Sequence, residues 1–436
     1  MSSKISIAII GTLDTKLEEF LYLRSQILQY DASINVILID AGRSVVEHEA
    51  ITVRQDDVLK ASGFRGDGNA LESLPRGELI KTMIGGATAV AQQLQRRDEI
   101  QAIISLGGSG GTSLASAVMR ELPVAFPKLI VSTVASSDTS SYVGETDITM
   151  MYSVVDIAGL NEVLRAVVGN AAAAIAGMAM AYADKTRKGL SDTSPTKKGV
   201  GITMFGVTTK GVDVARKWLE NHGYEVYVFH ATGAGGRAME RLLREGRLHG
   251  VLDLTTTELA DELVGGIFAS DESRLTAAAK AGVPQIVSVG ALDMVNFGPK
   301  DTVPAQFRDR TLFEHNPSVT LMRTTPQECD ELGRRIARRL RDNCIKPEST
   351  EVWLPLRGIS AIAVQGQPFH DEAADEALFT SIKMELQGAG INVVEVRSDI
   401  NNADWAEEVA ERLHEFIVTD GNRQRTELMF VKLPQR

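Results

Sequence analysis

The feature that most constrains this fold is a repeated order of segments: a short apolar run without polar alternation, a polar or glycine-rich turn, then a helical pattern. Such runs fall at residues 5–10, 34–39, 102–106 and 128–132, and again at 201–205, 226–230, 250–254, 285–289, 359–364 and 391–396. Helical periodicity fills 17–28, 77–95, 113–120, 159–183, 212–221, 237–244, 274–281, 327–343, 371–387 and 404–416. A strand that is apolar on both sides is covered on both faces, the situation of a parallel sheet between helical layers. The predicted fold class is α/β, with two doubly wound (Rossmann-like) domains and mainly parallel sheets. Residues 184–199 (DKTRKGLSDTSPTKKG) carry no apolar periodicity and separate a first domain, 1–184, from a second, 200–436. The stretch between the strand ending at Val289 and the helix beginning at Gln327 reads as loop-rich.

Charge narrows the classes of partner. With 46 Lys+Arg against 57 Asp+Glu the net charge is −11, which argues against broad binding to nucleic acid or to an anionic membrane surface. Cys329 and Cys344 give no disulfide framework, the amino terminus leads straight into a strand without a signal peptide, and a reducing cytoplasm fits both. Residues 166–183 are uncharged but dominated by alanine, so they read as a buried helix of a soluble protein, with small side chains suited to close packing in a homodimer.

Two halves share one design. IAIIGTLDTK and ITMFGVTTKG both run strand, Gly, Thr-rich turn, Lys, and each half has a second glycine-rich turn, GGSGGT and GAGGRA. Duplication and independent origin both fit. The strongest local signal is Gly107-Gly108-Ser109-Gly110-Gly111-Thr112, after a strand and opening a helix. Backbone N–H groups without side chains in the way, at a helix N-terminus, favour a phosphate or carboxylate. A tight turn needing positive φ is the plainer reading, although four glycines in six residues exceed what a turn requires. The spacing matches neither GxxxxGK[ST] nor GxGxxG. It does match G-x-S-x-G, so a serine hydrolase built on Ser109, with Asp138 and either His230 or His315, is one reading. Asp14, Thr15 and Lys16 sit where the first strand ends, the edge at which open α/β sheets take ligands. Residues 132–139 add hydroxyls to the same edge.

The second half gathers polar groups at its strand ends. His230, Glu258, Asp293 and His315 are acid/base candidates, and Arg237, Asn296 and Arg323 are candidates for holding a small polar or carboxylated substrate in an inter-domain cleft. His230, Asp293, Glu258 and His315 are also chemically able to ligate a metal, but no HExxH or CxxC spacing supports it, so no metal ligands are assigned. The arginines at 334, 335, 338, 339 and 341 follow Glu328, Asp330 and Glu331 along one helix, which makes them a dipole-matched solvated face.

Read together, GTLDTK, GGSGGTS, STVASSDTSSYVG, SVVDIAGLN, VTTKG, FHATGAGGRAME, DMVNFG and HNPSVTLMRTT resemble the ATP-binding domain family whose plant member is the tomato mosaic virus resistance protein. The resemblance covers nearly the whole chain. It implies a dimeric, two-part α/β protein that binds ATP in its first part, and Mg²⁺ held through water by Asp14 is the accompanying expectation. Carried over residue by residue, it places the nucleotide on Asp14, Thr15 and Lys16 and on Gly108, Ser109, Gly110, Gly111 and Thr112. Arg43 and Arg76 join them by position, after the second strand and at a helix start. STVASSDT departs from the family pattern, which has a glycine at the second of its paired serines. In the plant member a TIM barrel follows this domain, which implies a separate TIM-barrel partner protein here. Whether ATP is held, hydrolysed or transferred does not follow from the sequence.

Overall fold

The computed structural model describes residues 4–64, 75–187 and 197–431, with residue 76 and residues 422–431 described by backbone alone. The chain divides into two compact units, Met1–Thr193 and Ser194–Arg436.

The first unit is one parallel sheet of six strands: β1 (Ser6–Gly11), β2 (Asn35–Asp40), β3 (Ile51–Val53), β4 (Ala102–Gly107), β5 (Lys128–Ser132) and β6 (Thr149–Tyr152). Their order is β3-β2-β1-β4-β5-β6, and every pairing is parallel. Successive side chains of a strand point to opposite faces, and β1 shows it. Ile7 and Ile9 enter a core with Phe20, Leu23, Leu164 and Ala171, from the helices Leu13–Tyr30 and Glu162–Arg187. Ala8 and Ile10 enter the opposite core with Val58, Met83, Ala87, Ala115 and Val118, from the helices Gln55–Ala61, Arg76–Arg96 and Ser109–Arg120. Helix Glu162–Arg187 is long and apolar enough to cross a membrane by length and composition. Its row Leu164, Val168, Ala171, Ile175 and Ala179 is buried against the sheet, which makes it a core helix.

The second unit has β7 (Gly199–Met204), β8 (Glu225–His230), β9 (Gly250–Thr255), β10 (Gln285–Gly290), β11 (Met294–Phe297), β12 (Leu312–Asn316), β13 (Val319–Arg323), β14 (Thr350–Pro355) and β15 (Asn392–Val396). Six of them form a parallel sheet in the order β15-β14-β10-β9-β7-β8. Two expectations need correction. The segment 290–326, read as loops, holds an antiparallel sheet in the order β11-β13-β12. Residues 359–364, read as a strand, form turns, and the strand of that region is β14. Ile359 and Ala363 are apolar because they are buried, yet their backbone lies across the sheet end: Ile359 O accepts from Ala291 N, and Ala361 N donates to Val207 O. Burial produced the apolar run without pairing.

Candidate functional site

In the order β3-β2-β1-β4-β5-β6 the connections reverse direction between β1 and β4, and open α/β sheets bind ligands outside the carboxyl ends of strands at such a point. A cavity of about 410 Å³ lies there, lined by Asp14, Thr15, Lys16, Arg43, Gly108, Ser109, Gly110 and Gly111 among the residues expected from sequence. Two expected residues stand apart. Thr112 is fully buried and its Oγ1 lies 2.6 Å from Ser132 Oγ, so it ties the loop to β5 and does not line the cavity. Arg76 opens the helix Arg76–Arg96, and its side chain lies outside the described residues. Sequence reasoning missed the apolar wall of Ala41, Leu79, Ile80, Met83 and Leu114. Leu79 and Met83 are one turn apart on a helix face, a signal that also fits plain core packing.

The glycine loop is built to be approached. Gly108, Gly110 and Gly111 have no positive φ, and a Cβ on Gly110 would meet nothing within 4 Å. A Cβ on Gly108 or Gly111 would find only ordinary contacts, at 3.7 and 3.6 Å. The plainer alternative, a left-handed turn, does not account for these three residues: neither conformation nor packing demands glycine there. The first N–H groups of a helix have no intrahelical acceptor. Among the described residues no acceptor meets the N–H groups of Ser109, Gly110 or Gly111, and no side chain caps the helix. Lys16 breaks the geometry of its helix (φ −142°, ψ 30°), and its ammonium donates to the carbonyl of Ile157. Asp14 faces the other way: its Oδ2 accepts from the N–H groups of Arg43 (3.0 Å) and Ser44 (3.1 Å) and so shapes the loop after β2. Beneath it, Asp40 is 1% exposed, and burial pushes its carboxyl up to about 6, reinforced by the charge of Asp14.

The nucleophile-elbow reading of Ser109 is not supported. That motif holds its serine on a strained strand-to-helix turn, and Ser109 has no positive φ. The one histidine of residues 1–184, His48, accepts from Ala50 N–H through Nδ1 at 3.1 Å and does not line the cavity.

The second unit treats its glycine-rich turn in the opposite way. Gly233 has φ +78°, a Cβ on Gly235 would lie 1.9 Å from His230 O, and one on Gly236 would lie 2.2 Å from Glu258 Oε2. Each glycine here is required by the fold. The N–H groups of Gly233 (2.7 Å) and Gly236 (3.0 Å) donate to Glu258 Oε1, so an internal carboxylate occupies the anion position. Glu258 is fully buried and paired with Arg274, Nε to Oε2 at 2.6 Å. Arg274, itself 0% exposed, also binds Asp253 and lies 3.6 Å from Glu240. Burial raises the Glu240 carboxyl above its ordinary range.

Of the other second-unit candidates only Asp293 and Arg323 lie close enough to act on each other, and the rest are scattered. His230 is exposed at the end of β8, its ring centroid 5.3 Å from that of Phe205. His315, expected in a loop, is exposed on β12. Asn296 is buried and donates to Asp261 through Nδ2 at 3.1 Å. Arg323 is buried against Asp375 at 2.7 Å, and Arg237 donates to Ala269 O at 3.4 Å. Among the described residues no group of three or more His, Cys, Asp or Glu is placed to share a metal ion. A cavity of about 910 Å³ in this unit is lined instead by Arg357, His370, Glu372, Asp375, Glu376 and neighbours, of which the sequence singled out none.

Asp293 makes a pH prediction. It is fully buried, Oδ2 accepts from Ser360 Oγ at 2.8 Å, and Oδ1 has no partner. Burial pushes its carboxyl up from 3.8 to about 7, against the pull of Arg323. Because the folded value lies above the unfolded one, the stabilising share of the neutral acid is whole below about pH 4 and is lost as pH rises through about 7. Three units correspond to a penalty on the order of 4 kcal/mol for the ionised form at pH 8. Asp293→Asn is expected to match the parent near pH 4 and to exceed it by roughly 2–4 kcal/mol near pH 8 in urea unfolding. A difference that does not grow with pH would show that Asp293 does not titrate in the fold.

Comparison with known proteins follows the same division. A family model described as the N-terminal domain of the uncharacterised protein family UPF0261 matches residues 5–184, and the model of its C-terminal domain matches residues 197–417. A UPF0261 protein of Clostridium tetani is 47% identical over 411 residues, covering 93% of this chain and 98% of its own. The ToMV resistance protein Tm-1 of Solanum lycopersicum is 40% identical over 410 residues, covering 91% of this chain and 54% of that protein. A UPF0261 protein of Rhizobium meliloti is 42% identical over 406 residues, covering 92% of this chain and 96% of its own. Among solved structures, a UDP-N-acetylglucosamine 2-epimerase is similar over 65% of this chain and 79% of its own at 13% identity, with a TM-score of 0.19, an overlap too low to carry an argument.

Proposed function

The chain belongs to the uncharacterised protein family UPF0261, and from the pocket at the switch point of its first sheet we propose that this member binds ATP there. The phosphates lie against the free N–H groups of Ser109, Gly110 and Gly111, with the charges of Lys16 and Arg43 at the same cavity. Leu79, Ile80, Met83 and Leu114 give the base an apolar wall. The observation that carries this reading is the contrast between the two glycine-rich turns. In the second, every glycine is required by the fold and Glu258 takes the N–H groups of Gly233 and Gly236; in the first, three glycines leave room that none of the described residues fills. Mg²⁺ accompanies the nucleotide in this reading, and the protein works in the cytoplasm as a homodimer, with a separate TIM-barrel protein as its partner. The sequence resemblance described above points to the same ligand.

The test is calorimetry with ATP, with and without Mg²⁺, and product analysis of the same samples. Release of ADP or AMP would make the protein an enzyme; binding without turnover would make it a nucleotide-dependent binding protein. Lys16→Ala is expected to weaken ATP binding by about 1.5–3 kcal/mol, the range of a charge-assisted hydrogen bond, and to shrink the rise in melting temperature that ATP produces. The rise is the proper readout, since Lys16 also holds Ile157 and its loss lowers the starting temperature. An unchanged rise would remove Lys16 from the site.

A further inference from the structure

Lys16 lines the cavity at a break in its helix, and a second element holds its ammonium there. Residues 153–161 connect β6 to the helix Glu162–Arg187 and form a strap tied to the helix Leu13–Tyr30 at two points. Ile157 buries its side chain in the core that holds Phe20 and Leu23, and its carbonyl accepts from the Lys16 ammonium. Two residues on, the N–H group of Gly159 donates to Glu19 Oε1 at 2.7 Å. Gly159 has φ +77°, and a Cβ there would meet nothing within 4 Å, so conformation alone calls for the glycine. Glu19 is 6% exposed and does not line the cavity, and among the described residues no cationic side chain is paired with it.

A carboxylate buried without a cation is costly. Here its bond to one N–H group fixes the strap two residues from the carbonyl that holds Lys16. An ammonium carries three N–H donors, so the bond to Ile157 leaves two for an anion. A lysine side chain ordered in advance spares its ligand the rotamer freedom that binding would otherwise remove. We propose that Glu19 is a positioning residue: through Gly159 it holds the strap that holds Lys16 at the cavity, and the order of the strap thereby regulates how tightly the nucleotide binds. This role rests on the ATP reading of the pocket and places a control point outside the cavity itself.

Calorimetry of the full chain with ATP and Mg²⁺ tests it, and circular dichroism checks that each variant is folded. Glu19→Ala is expected to weaken ATP binding about ten- to thirtyfold, the share of one long side chain's rotamer freedom. Glu19→Gln removes the same charge but keeps an oxygen for the Gly159 N–H group, and is expected to bind ATP nearly as the parent does. A bare charge effect would have the opposite sign and be equal in both variants, since losing a carboxylate favours a nearby anion. In a Lys16→Ala background, Glu19→Ala is expected to change affinity by no more than about twofold, because residues that act through one another do not add. Gly159→Ala strains the exposed turn of the strap, is expected to weaken ATP as well, and carries the test if Glu19→Ala does not fold. Parental affinity in the folded variant, an equal loss in Glu19→Gln, or a loss undiminished without Lys16 overturns the positioning role alone, provided that the parent binds ATP and Lys16→Ala weakens it. A parent that binds no ATP removes the reading of the pocket and the role of Glu19 with it. Parental affinity in Lys16→Ala removes Lys16 and Glu19 together and leaves ATP in the pocket.

Discussion

Gly110→Asp is expected to abolish ATP binding, by about 100-fold or more, while leaving the protein as stable as the parent or slightly more stable. The two effects have opposite signs for one reason. A carboxylate on the first turn of the helix Ser109–Arg120 favours the helix, because the unpaired N–H groups there carry partial positive charge. The same carboxylate occupies the position proposed for the phosphates and repels them. Room is available, since a Cβ at residue 110 meets nothing within 4 Å, so the fold has no need to move. A hundredfold loss is about 2.7 kcal/mol, well within what a misplaced charge does in a partly enclosed site. Thermal melts and ATP titration on one preparation read both quantities. A variant that binds ATP like the parent would place the phosphates elsewhere, and one that melts far below it would mean that the glycine has a structural duty.

Arg274→Met is expected to destabilise the second unit by about 3–5 kcal/mol, the cost of leaving buried charges uncompensated. Asp253, Glu240 and Glu258 all surround this one guanidinium, and none is more than 2% exposed. A domain is stable by only about 5–15 kcal/mol, so the unfolding midpoint should fall far. Trp218, Trp353 and Trp405, the chain's three tryptophans, all lie in the second unit, which lets fluorescence follow that unit alone. Glu258→Gln in the Arg274→Met background should return part of the loss, because it removes one of the stranded charges. The residues lining the pocket proposed for ATP lie between Thr12 and Leu114, so ATP affinity below the melting temperature should not change. A midpoint within about 1 kcal/mol of the parent would show the cluster to be dispensable.

The two glycine-rich turns explain how much of the site was legible. Both look alike as sequence, GGSGGT and GAGGRA after an apolar run, and the notion of a cleft in the second half came from polar residues counted along the chain. What separates the turns is a carboxylate 22 residues beyond Gly236 that folds back onto its N–H group. Likewise Thr112 belongs to the glycine motif by sequence, yet its hydroxyl turns inward to Ser132.

Sequence alone determined the alternation of strands and helices, the parallel sheets and the division of the chain into two α/β units. These follow from periodicity and turn chemistry, which act between residues near in the chain. The reversed order of β1 and β4 that opens a pocket, the three glycines that no packing explains, and the burial of Glu258, Asp293, Asn296 and Arg323 were decided by tertiary structure. Which groups satisfy one another depends on contacts across tens of residues, and a polar side chain carries no local mark of whether its partner is a ligand or the protein itself.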